Sequence, residues 1–282
     1  MFALELGEDE LHEDEAALRI APAISGANLE WTDPSEGKSG IRSQCRGLLK
    51  INTKGLREIN KIGDLIVSTL KTDTPVKKGK TVAATRIIPL TTRKERIERL
   101  EAIAAQEAPI LEIKPFKQLL FGGVVTGSEI YEGLIQDGFD DFVGQKAIAY
   151  GCKFSKKILV PDDPEKIAAA VKTLAESGCG LILTTGGLSV DPDDVTRTGI
   201  RLAGAEEVAY GSPILPGAMF LYARLGDAVI LGLPASTTVY DLMLARVLAG
   251  EEITVDTIAD MGHGGLCQNC AECRYPNCAF GR

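Results

Sequence analysis

At 282 residues, with 45% hydrophobic and 25% charged side chains, the chain has the material of an ordinary globular protein with two or three domains. A formal net charge of −8 excludes the basic footprint of a nucleic-acid binder. No apolar run is long enough for a membrane helix, the first residues are acidic and unlike a signal peptide, and seven cysteines without a secretory leader fit a reducing compartment, so the expected setting is cytoplasmic.

Taken in order, residues 8–15 form a dense acidic run that reads as a solvated, loosely ordered end without chemistry, and His12 within it is no ligand. Residues 34–40, rich in Pro, Ser and Gly, predict a surface loop. Residues 64–70 and 80–90 are β-rich and flank a turn at 76–79. Lys77, Lys78 and Lys80 around that turn are read as solvated. Residues 92–107 predict a helix with Ile97, Leu100 and Ile103 on one face. Residues 1–116 are therefore expected to be a smaller β-rich domain.

From Lys114-Pro115 onward, strand and helix patterns alternate, which implies parallel strands with crossover helices. Strands are expected at 119–126, 156–160, 181–185, 208–210 and 228–231. Helices are expected at 131–136, 139–150, 167–174, from Thr196 through Arg201, and at 236–248 with Gly250 as the cap. Asp163 is placed as an N-cap with Pro164 at the first helical position. Cys152 and Cys179 flank strands and read as small buried hydrophobes. The fold class is α/β, a three-layer, mostly parallel sheet at 117–250, with the N-terminal domain before it and a cysteine-rich tail at 251–282.

The run Leu181-Ile-Leu-Thr-Thr-Gly-Gly-Leu-Ser-Val-Asp-Pro-Asp-Asp-Val-Thr196 organises this domain. A buried strand ends on Gly186-Gly187, where the backbone turns sharply and opens its N–H groups to a ligand. Ser189 adds a hydroxyl, and Asp191, Asp193 and Asp194 add carboxylates. Ligands of open α/β sheets bind beyond the strand ends, so this loop stands where a site should be. Carboxylates beside a phosphate-friendly turn suit Mg²⁺ bridging protein and anionic substrate, although Asp194 could instead merely cap the next helix.

The segment from Thr185 to Thr196 resembles the T-G-G-x-[GS]-x-x-x-x-D-x-T signature of the molybdopterin-binding (MoaB/Mog-type) domain family. Gly123-Val-Val-Thr-Gly-Ser-Glu-Ile130 is similar to that family's T-G-[DS]-E turn, and Leu159-Val-Pro-Asp-Asp163 to its V-P-D-[DE] element. Leu215-Pro-Gly217 and Gly232-Leu-Pro234 stand where relatives carry P-G-K-P and G-L-P-G-N-P. The resemblance implies Asp194 and Asp162 as catalytic acids that hold Mg²⁺. It implies Thr126, Gly127, Glu129, Thr185, Gly186, Gly187, Ser189, Thr196, Pro216 and Gly217 around a pterin phosphate. Asp162 and Asp163 compete for the cap role, so helix-start chemistry is the other reading of Asp162. Three departures stand out: Ala218 replaces the lysine of P-G-K-P, Ala235 and Ser236 break G-L-P-G-N-P, and Ser128 replaces an insertase Asp.

The tail carries Cys267, Cys270, Cys273 and Cys278 in the spacing C-x2-C-x2-C-x4-C. Four thiolates in so short a glycine-rich span suit one metal centre, an iron–sulfur cluster narrowly ahead of tetrahedral Zn²⁺, with His263 able to replace one cysteine in either.

The resemblance implies molybdopterin binding in molybdenum-cofactor biosynthesis, at the adenylyl-transfer or metal-insertion step, with ATP or molybdate as co-substrate and a homo-oligomer as the working form. The missing lysine and added cysteines favour a non-catalytic carrier or sensor as the alternative. A CinA-type nucleotide pyrophosphatase is third, since its signature is close to the same acidic loop.

Overall fold

The computed structural model describes residues 6–188, 195–236, 238–275 and 278–281. The chain divides into two compact units, Met1–Pro115 and Phe116–Arg282.

The first unit runs β1 (Glu10–His12), α1 (Glu13–Ile24), β2 (Leu29–Trp31), β3 (Lys38–Ser43), β4 (Gly47–Ile51), α2 (Thr53–Asn60), β5 (Leu65–Thr69), β6 (Thr74–Val76), β7 (Thr81–Ile87), β8 (Thr91–Arg93), α3 (Lys94–Gln106) and β9 (Leu111–Pro115). Its sheets have the orders β2-β3-β7-β5, β6-β4-β9 and β1-β8. Against expectation, the acidic leader is ordered. Glu10–His12 pairs with β8, and Glu13, Asp14 and Glu15 form the first turn of α1, where carboxylates face the positive end of the helix dipole. The His12 ring accepts the Asp14 N–H at 3.3 Å and caps that helix. Helix α1 then buries Ala16, Ala17, Ile20, Ala21 and Ile24. Helix α3 starts at Lys94 because β8 takes the preceding residues, and its buried stripe is Ile97, Leu100 and Ala104, with Ile103 half-buried. Residues 34–40 are not wholly loop, since β3 begins at Lys38.

The second unit runs β10 (Leu120–Thr126), α4 (Ser128–Tyr131), a π-helical turn (Asp140–Gly144), α5 (Gln145–Ala149), β11 (Lys153–Val160), α6 (Pro164–Glu176), β12 (Leu181–Thr185), α7 (Thr196–Leu202), β13 (Glu206–Tyr210), β14 (Leu221–Leu225), β15 (Ala228–Leu233), α8 (Thr238–Leu248) and α9 (Val255–Asp260). The sheet order is β11-β10-β12-β15-β14-β13, in which β11, β10, β12 and β15 are parallel and β14 is antiparallel to both neighbours. Period-two alternation divides the apolar residues between two faces. Val124, Ile182 and Ile230 meet Ile167, Val171 and Ile200 of α6 and α7. Phe121, Leu183 and Leu231 share the other core with Tyr240, Met243 and Ile258 from α8 and α9. The result is the expected three-layer α/β arrangement.

Asp163 caps α6, its carboxylate accepting the N–H groups of Glu165 at 2.9 Å and Lys166 at 3.3 Å. Two helix expectations change. Helical backbone near 131–136 is confined to Ser128–Tyr131, and 139–150 is split into a π turn and α5. Lys157 reaches both Asp137 and Asp140, gathering the chain just where a regular helix would start. Strand β14, not expected, pairs with β15 through a tight turn at Gly226, whose φ of +59° suits glycine. Residues beyond 250 fold onto this unit. Ile253, Ile258, Met261 and Phe280 are buried in its core, and the Gly281 N–H donates to the Gly264 carbonyl at 2.9 Å.

Candidate functional site

Three parallel strands, β10, β12 and β15, end side by side at a cavity of about 770 Å³. Its wall contains Thr126 from β10, then Thr185, Gly186 and Gly187 from the end of β12. Four expected binding residues therefore meet in one place. The lining also includes Phe139, Phe142 and Val143 with Leu233, Pro234 and Ser236, not anticipated residue by residue. The strand-end rule could have found the residues after β15, because Gly232-Leu-Pro234 closes that strand.

The glycine turn is fixed by sterics and by buried hydroxyls. Gly186 and Gly187 have φ of +89° and +54°. A Cβ on Gly186 would lie 2.2 Å from the Thr126 carbonyl oxygen, and one on Gly187 would lie 2.5 Å from Thr196 Oγ1. Thr126 and Thr196 are buried with their hydroxyls 3.0 Å apart, and Thr196 Oγ1 donates to the Gly186 carbonyl at 3.0 Å. Thr196 thus sits behind the turn and holds it, with its hydroxyl facing protein. Phe139 reaches the cavity because β10 carries Gly123, where a Cβ would stand 2.4 Å from the ring.

Asp162 does not line the cavity. It is exposed at the end of β11 and accepts the Ser128 N–H at 2.8 Å and the Ser128 hydroxyl at 3.2 Å. Gly127, with φ of +136°, precedes α4, and the Glu129 side chain is exposed. Pro216 and Gly217 do not line the cavity; the Ser236 hydroxyl donates to the Pro216 carbonyl at 3.5 Å and the Ser212 hydroxyl to that of Gly217 at 3.3 Å. Ser189 and Asp194 fall outside the described residues, as do Asp191 and Asp193.

The electrostatics are set by few groups. Asp137 receives Lys157 Nζ at 3.1 and 3.2 Å and the Phe139 N–H at 3.0 Å. Burial works against the Lys157 ammonium, but hydrogen bonds to Asp140 and Asp137 outweigh it and raise its pKa. Burial raises Asp241 against the opposing pull of Lys146, and takes Tyr150 to about 12. The Cys152 and Cys179 thiols are buried and pushed up, which makes them inert hydrophobes as expected.

In the tail, Cys267 and Cys278 are half-buried against the core, whereas Cys270 and Cys273 are exposed. Among the described residues, no three His, Cys, Asp or Glu side chains converge as a metal-ligand group. The Leu215 N–H donates to the Gly265 carbonyl at 2.9 Å and the Cys267 N–H to the Leu215 carbonyl at 2.8 Å, which joins the tail to the segment before Pro216. No helix among the described residues is long and apolar enough to cross a membrane.

Residues 122–254, just under half of the chain, match a family described as a probable molybdopterin binding domain. A molybdopterin molybdenumtransferase of Synechococcus elongatus is 27% identical over 164 residues, covering 54% of this chain and 41% of that protein. A CinA-like protein of Mycobacterium avium is 35% identical over 88 residues, covering 31% of this chain and 20% of its own length. The chain thus spans less than half the length of these relatives. Among solved structures, the molybdopterin biosynthesis enzyme MoaB of Thermus thermophilus is similar at 22% identity, covering 46% of this chain and 90% of its own with a TM-score of 0.37. With the signature residues of the glycine turn in place on an α/β sheet, residues 122–254 belong to the family of probable molybdopterin binding domains.

Proposed function

We propose that the second unit binds molybdopterin in the cavity at the ends of β10, β12 and β15 and serves its adenylylation or metal loading in molybdenum-cofactor biosynthesis. The observation that carries this reading is the Gly186-Gly187 turn at the cavity wall, whose strained backbone no side chain can share. Such a turn holds a phosphate through N–H groups without a cationic side chain. The apolar wall of Phe139, Phe142 and Leu233 suits the flat face of a fused ring. Asp162 uses Oδ2 for Ser128, so its other oxygen is free of that bond and suited to Mg²⁺ together with Asp194. When bound, the cation neutralises charge on the phosphate and its incoming group. The chain's own residues position the ligand and exclude water; no side-chain nucleophile is required.

The four tail cysteines are proposed as ligands of one iron–sulfur or zinc centre. Their spacing and the anchoring of Cys267 support this, and closure would have to draw in the exposed Cys270 and Cys273. ATP, molybdate and a homo-oligomeric, cytoplasmic working form belong to the same proposal.

The test is incubation of the full chain with molybdopterin, Mg²⁺ and either ATP or molybdate. Turnover supports an enzyme. Binding without turnover supports a carrier. Cleavage of an ADP-ribose-type dinucleotide instead would favour the CinA-like reading, to which the 35% identity with a CinA-like protein points. Failure to bind molybdopterin at all would overturn the proposal, and Asp194→Asn should abolish any turnover found.

A further inference from the structure

Among the described residues lining the cavity, Asp137 is the one ionisable side chain. It is 14% exposed, so it meets the cavity from a mostly covered position. Its partners are few. Oδ1 accepts the Phe139 N–H at 3.0 Å and Lys157 Nζ at 3.2 Å, while Oδ2 accepts Lys157 Nζ at 3.1 Å. A carboxylate offers about four acceptor positions, so these three bonds leave one on Oδ2. Lys157 and Phe139 also fix the group in place, so accepting a further bond costs little reorganisation.

Beside the hydroxyls of Thr126, Thr185 and Ser236, the described lining has two polar features set among apolar residues: the glycine turn, which offers N–H donors, and Asp137, which can only accept. A phosphate is complementary to the first and repelled by the second. A ring carrying N–H donors is complementary to the second. We infer that Asp137 is a specificity-determining residue whose remaining Oδ2 position accepts a hydrogen bond from the amino group of a 2-amino-4-oxo pyrimidine. This rests on the pterin reading above and adds how the ring is told from its near relatives. A 2,4-dioxo ring of the same shape turns a carbonyl towards the carboxylate, which leaves a covered acceptor facing another acceptor.

The experiment compares two probes, 6-hydroxymethylpterin and 6-hydroxymethyllumazine, titrated into the full chain and followed by calorimetry. The wild-type chain should prefer the pterin by roughly 10- to 100-fold, the range expected for hydrogen bonds to a charged group. Asp137→Asn should bring the ratio of the two affinities close to one, with a thermal midpoint recorded beside it. A merely structural Asp137, seating Phe139 and Lys157, would weaken both probes alike and leave the ratio unchanged, and that result overturns the inference. So does a wild-type chain that binds both probes equally, a test independent of whether the variant folds. If the wild-type chain binds neither probe, the pterin reading itself falls, and this assignment with it.

Discussion

Asp162 and Ser128 hold one another across the ends of neighbouring parallel strands: the carboxylate takes the Ser128 N–H at 2.8 Å and its hydroxyl at 3.2 Å, and Ser128 Oγ accepts the Asp162 N–H at 3.4 Å. Ser128 stands where the resembling insertases carry an acid, and here the hydroxyl orients Asp162 without adding charge. Because both residues are exposed, Ser128→Ala should cost under about 0.5 kcal/mol of stability. Asp162→Asn should leave folding equally intact yet weaken Mg²⁺-dependent ligand binding about tenfold or more. Titrations with and without Mg²⁺ check this, and equal affinities in both conditions would remove Asp162 from the cation site.

Thr196→Val keeps the shape and deletes one buried hydroxyl. The Gly186 carbonyl and the Thr126 hydroxyl would each lose a partner at 3.0 Å. The expected loss is about 1–3 kcal/mol by urea unfolding. Ligand affinity should fall as well, because the turn loses its brace.

Gly187→Ala tests the turn itself. The added Cβ meets Thr196 Oγ1 at 2.5 Å at a φ of +54°, so both space and backbone oppose it. A cost of about 1–3 kcal/mol is expected, with loss of phosphate-dependent affinity. Gly204→Ala is the control: its φ is +88° but nothing lies within 4 Å of the new Cβ, so backbone strain acts there alone.

Glu207 joins Arg197, at 2.9 and 2.7 Å, to Arg201, at 3.1 and 2.9 Å, and these hydrogen bonds hold its carboxyl below the ordinary glutamate range. A depressed folded-state pKa gives stability that is complete above the unfolded-state value and lost as pH falls through the folded one. Glu207→Gln should therefore cost about 1–2 kcal/mol near neutrality, and the difference from wild type should close as the pH is taken below 4.5 towards strong acid. Urea titrations across that window measure it.

In the tail, Cys270 and Cys273 are exposed and should alkylate first in metal-free protein, with buried Cys152 and Cys179 last. Metal-replete protein, prepared anaerobically, should instead protect all four tail cysteines together. Mass spectrometry of the labelled chain, with iron, sulfide and zinc analysis, decides it; labelling of Cys270 unaffected by metal would remove it from the centre.

What the sequence shows plainly is whatever local rules control. The Asp163-Pro164 helix start, the strand ending at Thr185 and the glycine turn follow from capping, alternation and steric demand, and all are present. The acidic leader misleads because charge density suggests solvation, whereas here the acids occupy a helix's first turn above a buried alanine and isoleucine stripe. This part of the cavity's lining is hidden for another reason. Asp137 and Phe139 sit in an irregular segment whose path is set by Lys157, some twenty residues later, and by the missing side chain at Gly123. No periodicity reports a contact of that kind.

The first turn of α7 has a mechanical consequence. Thr196 grips the glycine bend, and the very next residue, Arg197, clasps Glu207 and stacks on the Tyr210 ring at 4.1 Å, both on the outermost strand β13. One step of helix therefore spans from the pocket to the rim of the sheet. Any displacement of the bend that carried Thr196 with it would therefore also strain the contacts of Arg197 with Glu207 and Tyr210.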